Sequence, residues 1–215
     1  MTGPVRDPLL WQLADSGFPA GGFAHSFGFE ALRALGMLRD PAELAVRLDE
    51  LAWHTAHAVL PFLAGAYADP VTADRACDRF ISNHVASRAS RAQGRAFLLA
   101  TAAMFDDPAA PKPPALPFGH LPVAIGAALA GRIALADARE LAMYTTLRQA
   151  TSAAIRLGVV GPLRAQRLLL GAAPAAARAL AATHALGPAD ACSVAPIVEL
   201  AQASHDRLYT RLFQS

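Results

Sequence analysis

The 215-residue sequence has only two cysteines, Cys77 and Cys192, and a single lysine, Lys112, against 18 arginines. Two thiols cannot build a disulfide framework, and both are expected to act as small buried hydrophobes. Long hydrophobic runs are also missing. The longest uncharged apolar stretches, Leu121 to Gly131 and Leu168 to Ala177, are closed by Arg132 and Arg178. Each is about half of the ~20 residues that a bilayer requires. Arg6, Asp7, Gln12 and Asp15 interrupt the start of the chain, which argues against a signal peptide. The expectation is a cytoplasmic protein with no membrane partner. An excess of charge of one sign is lacking too. A formal net charge of +2 is too balanced for a protein that coats nucleic acid, so no nucleic-acid partner is expected.

Motifs for common chemistries are equally scarce. Neither G-x-x-x-x-G-K-[ST] nor a G-x-G-x-x-G following a strand occurs. Gly17 to Gly22 lacks the lysine of a phosphate cradle, and Gly21-Gly22 suits a tight turn or a close backbone approach. Ser90, Ser152 and Ser204 have no nucleophile context such as G-x-S-x-G. Asp106-Asp107 has no third carboxylate at a useful offset for a diphosphate–Mg²⁺ site. His54 and His57 share a helix face at i and i+3, but no further ligand stands at an obvious spacing, so no metal site is expected. Arg88, Arg91 and Arg95 form a stripe suited to a solvated face, acidic neighbours or an acidic partner. No catalytic residue emerges, and a helical binding or scaffold protein is favoured over an enzyme.

What is abundant is alanine, with 51 residues. Alanine is the best helix former, and β-branched residues are sparse, so the fold class is all-α. At roughly 150 residues per domain, one compact domain of eight to ten helices is expected. Asp7-Pro8, Asp40-Pro41-Ala-Glu43, Asp69-Pro70 and Gly161-Pro162 mark helix starts. Ser26 is expected to cap a helix ending near Gly36. Pro61 is expected to interrupt the helix that runs to about His57, and a break is expected near Asn83. Residues 106–118, with five prolines, form a candidate flexible loop, and His120 is a candidate cap behind it. Leu121 to Gly131 is expected to be a buried helix. Asp137 to Gly158 is expected to be a long amphipathic one, with Leu141, Tyr144, Leu147, Thr151 and Ile155 on its apolar stripe. Pro174 is expected to start another helix. The last is expected to run from about Ser193 into Leu208, Tyr209, Leu212 and Phe213.

Five segments carry a resemblance. Leu9 to Glu30, which contains LLWQLADSGFPAGGFAHSFGFE, resembles the opening signature of the urease accessory protein F (UreF) family, LLQL-x-x-x-x-x-P-x-GGF-x-x-S-x-G-x-E. Ser87-Arg88 to Gly94-Arg95-Ala96 is similar to the family's S-R-x-x-G-R-A stretch, and His120 to Gly126 to its H-x-P-x-x-x-G helix start. Ser152-Ala-Ala-Ile-Arg-Leu157 with Gln166-Arg-Leu-Leu169 resembles its S-A-A-x-R-L and Q-R-L-L pair. Arg207-Leu-Tyr-Thr-Arg-Leu-Phe-Gln-Ser215 resembles its Y-S-R-L-F-x-S terminus. The matches run in order over essentially the whole chain.

The resemblance implies an all-α, non-enzymatic, homodimeric scaffold. Such a scaffold joins the UreD (UreH) accessory protein to the UreG-type GTPase, whose hydrolysis it is proposed to modulate. Nickel would be loaded into apo-urease by the complex, with no cofactor held tightly by this chain. The implied partner-binding residues are Gly21, Gly22, Phe23, His25, Ser26 and Glu30 near the start, and Arg88, Arg95, Arg156 and Gln166 in the middle. Tyr209, Arg211, Leu212 and Phe213 complete the set at the terminus, with Arg211 supporting the loop that holds His25. The chain departs from the family pattern at His25 (usually Tyr), at Val159-Val160-Gly161-Pro162 (usually P-L-G-Q) and at His205-Asp206 (usually His-Glu). Two alternatives remain open. One is an all-α dimeric ligand-sensing regulator, although residues 1–40 hold only Arg6, Arg33 and Arg39 for a basic helix-turn-helix. The other is a diverged scaffold for another metallocentre.

Overall fold

Asp40 begins a helix because its carboxylate accepts hydrogen bonds from the Ala42 and Glu43 backbone amides at 2.8 and 3.0 Å, and Pro41 forfeits no intrahelical bond at the first turn. Asp69 repeats this with Val71 and Thr72, and Asn83 does so with Val85 and Ala86. These local signals set much of the helix order in the computed structural model, which describes residues 8–105 and 115–215. Asp7 and residues 106–114 of the proline-rich segment lie outside the described residues.

The helices are α1 (Pro8–Ala14), α2 (Phe29–Ala34), α3 (Pro41–His54), α4 (Leu60–Ala66), α5 (Pro70–Phe80), α6 (His84–Met104), α7 (Leu121–Leu129), α8 (Leu135–Arg156), α9 (Pro162–Ala182) and α10 (Pro196–Ala203). No strand occurs among the described residues, so the fold is all-α. α7 is central. It is buried along nearly its whole length, as expected for Leu121 to Gly131, and packs on α4, α5, α6 and α8. Leu44, Leu48 and Leu51 carry α3 into the main core, against α8 and α9. α6 crosses α7 at Gly94, where a Cβ would stand 2.0 Å from the Gly119 carbonyl oxygen. Phe62, Ala73, Cys77 and Val123 form a smaller cluster between α4, α5 and α7. Among the described residues no helix is long and apolar enough to cross a membrane.

Several expectations are corrected. Pro61 does not break its helix: α3 passes through a π-turn, Thr55–Val59, directly into α4. The wider turn accommodates the proline, whose nitrogen has no hydrogen to donate. Pro174 lies inside α9 and starts nothing. Both it and Leu170, whose carbonyl it leaves without its helical donor, are exposed to water. α2 starts at Phe29 behind the left-handed Gly28, so Ser26 is not its N-cap residue. The Ser26 hydroxyl oxygen still accepts from the first-turn Glu30 amide at 3.4 Å while donating to the Ser215 carbonyl. The last helix ends at Ala203, and a 3₁₀ turn, His205–Arg207, leads into an extended tail. Tyr144 is exposed, although the remaining stripe residues of α8 face inward. Cys77 is buried as expected, but Cys192 is exposed.

Candidate functional site

The tail is bound to the loop after α1, at the far end of the sequence. The Ser26 amide and hydroxyl both donate to the Ser215 carbonyl, at 2.6 and 3.0 Å, and the Gln214 amide donates to Ala24 O at 2.8 Å. The Glu30 carboxylate, buried at the start of α2, accepts from the Leu212 and Phe213 amides at 2.5 and 3.1 Å. It also meets His205 Nε2 at 2.9 Å. One carboxylate thus holds both arms of the tail.

His25 Nδ1 lies 2.5 Å from Ser215 Oγ. Burial, with the His205 and Arg88 charges nearby, pushes its pKa from 6.5 down to about 4. At neutral pH the ring is uncharged and can accept from the hydroxyl. Arg156 lies between two rings, 3.9 Å from the Phe23 centroid and 4.2 Å from that of Phe213, and donates to Phe23 O at 2.5 Å. Asp206 gathers a second set of cations: Arg88 at 2.8 Å, His84 at 3.2 Å and Arg211 at 3.4 Å. The Arg88 hydrogen bond, assisted by His84, holds the Asp206 carboxyl below the ordinary carboxylate range against the opposing cost of desolvation.

The structure therefore brings most of the expected residues to one face: Gly21 to Ser26, Glu30, Arg88, Arg156 and the residues from Arg211 to Phe213. Arg211 turns toward Asp206, and Ser215 rather than Arg211 meets His25. Phe213 is 5% exposed and Leu212 54%, so only the first plugs the core, while Tyr209 is fully exposed. Two residues lie elsewhere. Arg95 is exposed on α6 beside Gly119, with no ion pair among the described residues, and Gln166 is exposed on α9. Sequence reasoning missed Asp206 and Ser215 as anchors, although both stand within the quoted family patterns. It also missed Arg148, although Arg148, Ser152 and Arg156 fall at i, i+4 and i+8 on α8.

Three other candidates resolve as structural contacts. His120 stands at the start of α7 but caps nothing with its side chain, which lies 3.2 Å from both Ser90 Oγ and Asp78 Oδ1. Arg91 of the arginine stripe also pairs with Asp78 and sits 5.0 Å from the Phe118 ring centroid. His54 and His57 point to different partners, Glu199 at 3.7 Å and the Trp53 carbonyl at 3.0 Å. Among the described residues no group of three His, Cys, Asp or Glu side chains is placed to hold a metal ion.

A second surface lies between α8 and α9, where Tyr144, Leu170 and Gln166 border a mostly apolar groove of about 1020 Å³.

Comparison with known proteins finds the same family. The UreF family model matches residues 38–173. "Urease accessory protein F" of Oryza sativa subsp. indica is 31% identical, over 94% of this chain and 83% of its own length. The protein of the same name from Arabidopsis thaliana is 31% identical, over 95% and 91%. "Urease accessory protein UreF" of Methylobacterium sp. (strain 4-46) is 33% identical, over 96% and 88%. These relatives are named as accessory proteins and not as enzymes. By the family model and by similarity along nearly its whole length, the chain belongs to the urease accessory protein F (UreF) family.

Proposed function

We propose that this protein is a non-enzymatic scaffold in the maturation of urease. It acts in the cytoplasm, joining a UreD/UreH-type accessory protein to a UreG-type GTPase so that nickel reaches apo-urease. Nickel is cargo of the assembled complex, and the scaffold modulates the GTPase. The observation that carries this reading is family membership along the chain together with the loop–tail face. There Phe23, Tyr209 and Leu212 stay exposed beside a rigidly bonded backbone. Large exposed side chains on a pre-organised frame suit a protein partner, because little ordering remains to be done on binding.

The test is co-purification with the two accessory proteins and apo-urease. Phe23→Ser with Leu212→Ser is expected to weaken the complex and lower urease activation while helix content stays unchanged. Full assembly and activation by that variant would count against the reading.

The α8–α9 groove supports a homodimer. A groove bordered by exposed Tyr144 and Leu170 is an apolar surface of the kind that a two-fold contact covers with a second copy of itself. Light scattering is expected to give twice the chain mass at micromolar concentration, and Leu170→Glu is expected to give monomers.

A further inference from the structure

Arg148, on α8, is a half-buried cation without a partner among the described residues. Its Nε is buried without an acceptor, and its guanidinium makes no ion pair among the described residues. The other described arginines that are not exposed are engaged: Arg47 with Glu50, Arg91 with Asp78, Arg139 with the Thr183 carbonyl and Arg156 with the Phe23 carbonyl. A half-buried guanidinium without a partner loses hydration and gains nothing in return.

Arg148 lines a pocket of about 340 Å³ between α8 and the loop after α1. Ser152 and Arg156 follow it on one stripe of α8, each step about 6 Å along the axis. The opposite wall is the glycine-containing backbone from Ser16 to Phe23. That wall stands close to the helix: a Cβ on Gly22 would fall 2.1 Å from Gln149 Nε2. No Asp or Glu lines the pocket. Asp15, the nearest carboxylate in sequence, is not part of the lining and accepts the Gly17 amide at 2.6 Å. Arg156 spends one amino group on Phe23 O and its faces on two rings. Each guanidinium carries five donors, so unspent N–H groups remain on both arginines. The pocket thus has two positive charges, hydroxyls from Ser16 and Ser152, and no anion.

We propose that this pocket is an oxyanion-binding site in which Arg148 and Arg156 grip a phosphate or carboxylate group over the glycine-containing loop. The planar fork of arginine matches both oxyanions, and the half-buried setting strengthens the charged hydrogen bonds. The site stands on this geometry alone, independently of the scaffold role.

The test is a titration of the full-length protein, labelled with ¹⁵N and held at constant ionic strength, with sodium phosphate in one arm and sodium acetate in the other. Saturable shifts are expected at the Arg148 Nε–H and the Gly21 and Gly22 amides. Saturation by phosphate alone identifies a free phosphoryl ion as the ligand. Saturation by acetate as well identifies a carboxylate group. Arg148→Gln is expected to weaken binding about tenfold or more, and Arg148→Lys to weaken it less. Arg167→Gln, on the exposed face of α9, is expected to leave it unchanged. Ser152→Val keeps both charges while filling the pocket, and is expected to weaken binding without loss of helix content. Absence of saturable shifts in both arms, or shifts that Arg148→Gln leaves intact, overturns the proposal.

Discussion

Glu30 is the residue on which the tail depends most. It accepts from two backbone amides and faces a histidine, all supplied by residues 205–213. Glu30→Ala leaves those donors buried and unpaired, at an expected cost of about 3 kcal/mol. Amide exchange at Leu212 and Phe213 should accelerate in this variant while the α7 amides stay protected. His25 supplies a pH dependence of definite sign. Its pKa is 6.5 when unfolded and about 4 when folded, so between those values the unfolded chain binds more protons. The contribution of His25 is therefore complete above 6.5 and is lost as pH falls toward 4, by about 3 kcal/mol at most. Urea midpoints measured across this window should fall less steeply in His25→Gln than in the parent. His54 and His120 are also held below the ordinary histidine value by burial, so the difference between the two proteins isolates the His25 share.

At the scale of elements, what could be read in advance depended on range. Asp40, Asp69 and Gly161-Pro162 announced α3, α5 and α9 because a helix start is decided within four residues. Pro61 and Pro174 misled because proline constrains its own turn, whereas its fate is set by what surrounds it. A π-turn absorbed one, and water at an exposed carbonyl absorbed the other. The crossing of α6 over α7 was not legible at all, since it rests on Gly94 meeting the carbonyl of Gly119, a residue far from it in sequence. Gly94→Ala must push those helices apart. An overpacking cost of about 1–3 kcal/mol is expected, read as a lowered melting temperature with unchanged helix content at 25 °C. The tail behaves as an element too. Deleting Arg211 to Ser215 removes buried Phe213 and every hydrogen bond of the seam except the contact between Glu30 and His205. It is expected to lower thermal stability as well as assembly with the GTPase, whereas Arg211→Ala removes only an exposed contact to Asp206 and should leave the melting temperature nearly unchanged.

Across the whole molecule, all-α architecture followed from the alanine content, and the family from five segments in register. The clustering of the candidate site did not. His25 meets Ser215 across 190 positions, and Glu30 meets Phe213 across 183, distances over which composition and periodicity carry no information. Only folding shows that the family's first and last segments form a single surface, while Arg95 and Gln166 stand apart from it. Double substitutions across that seam, such as Glu30→Ala with removal of residues 211–215, should therefore be strongly non-additive in denaturation, whereas Glu30→Ala with Leu170→Glu should add.

The unequal placement of the two thiols makes the molecule its own timer. Cys192 lies open to solvent, while burial raises the pKa of Cys77 in the cluster between α4, α5 and α7. A maleimide reagent at neutral pH should modify one site within the mixing time and then stall, since only a thiolate within reach reacts. Any later labelling must wait for α5 to lift away from α4 and α7. The slow second adduct, followed by mass spectrometry, would thus count openings of that corner of the fold, with no probe engineered into the chain.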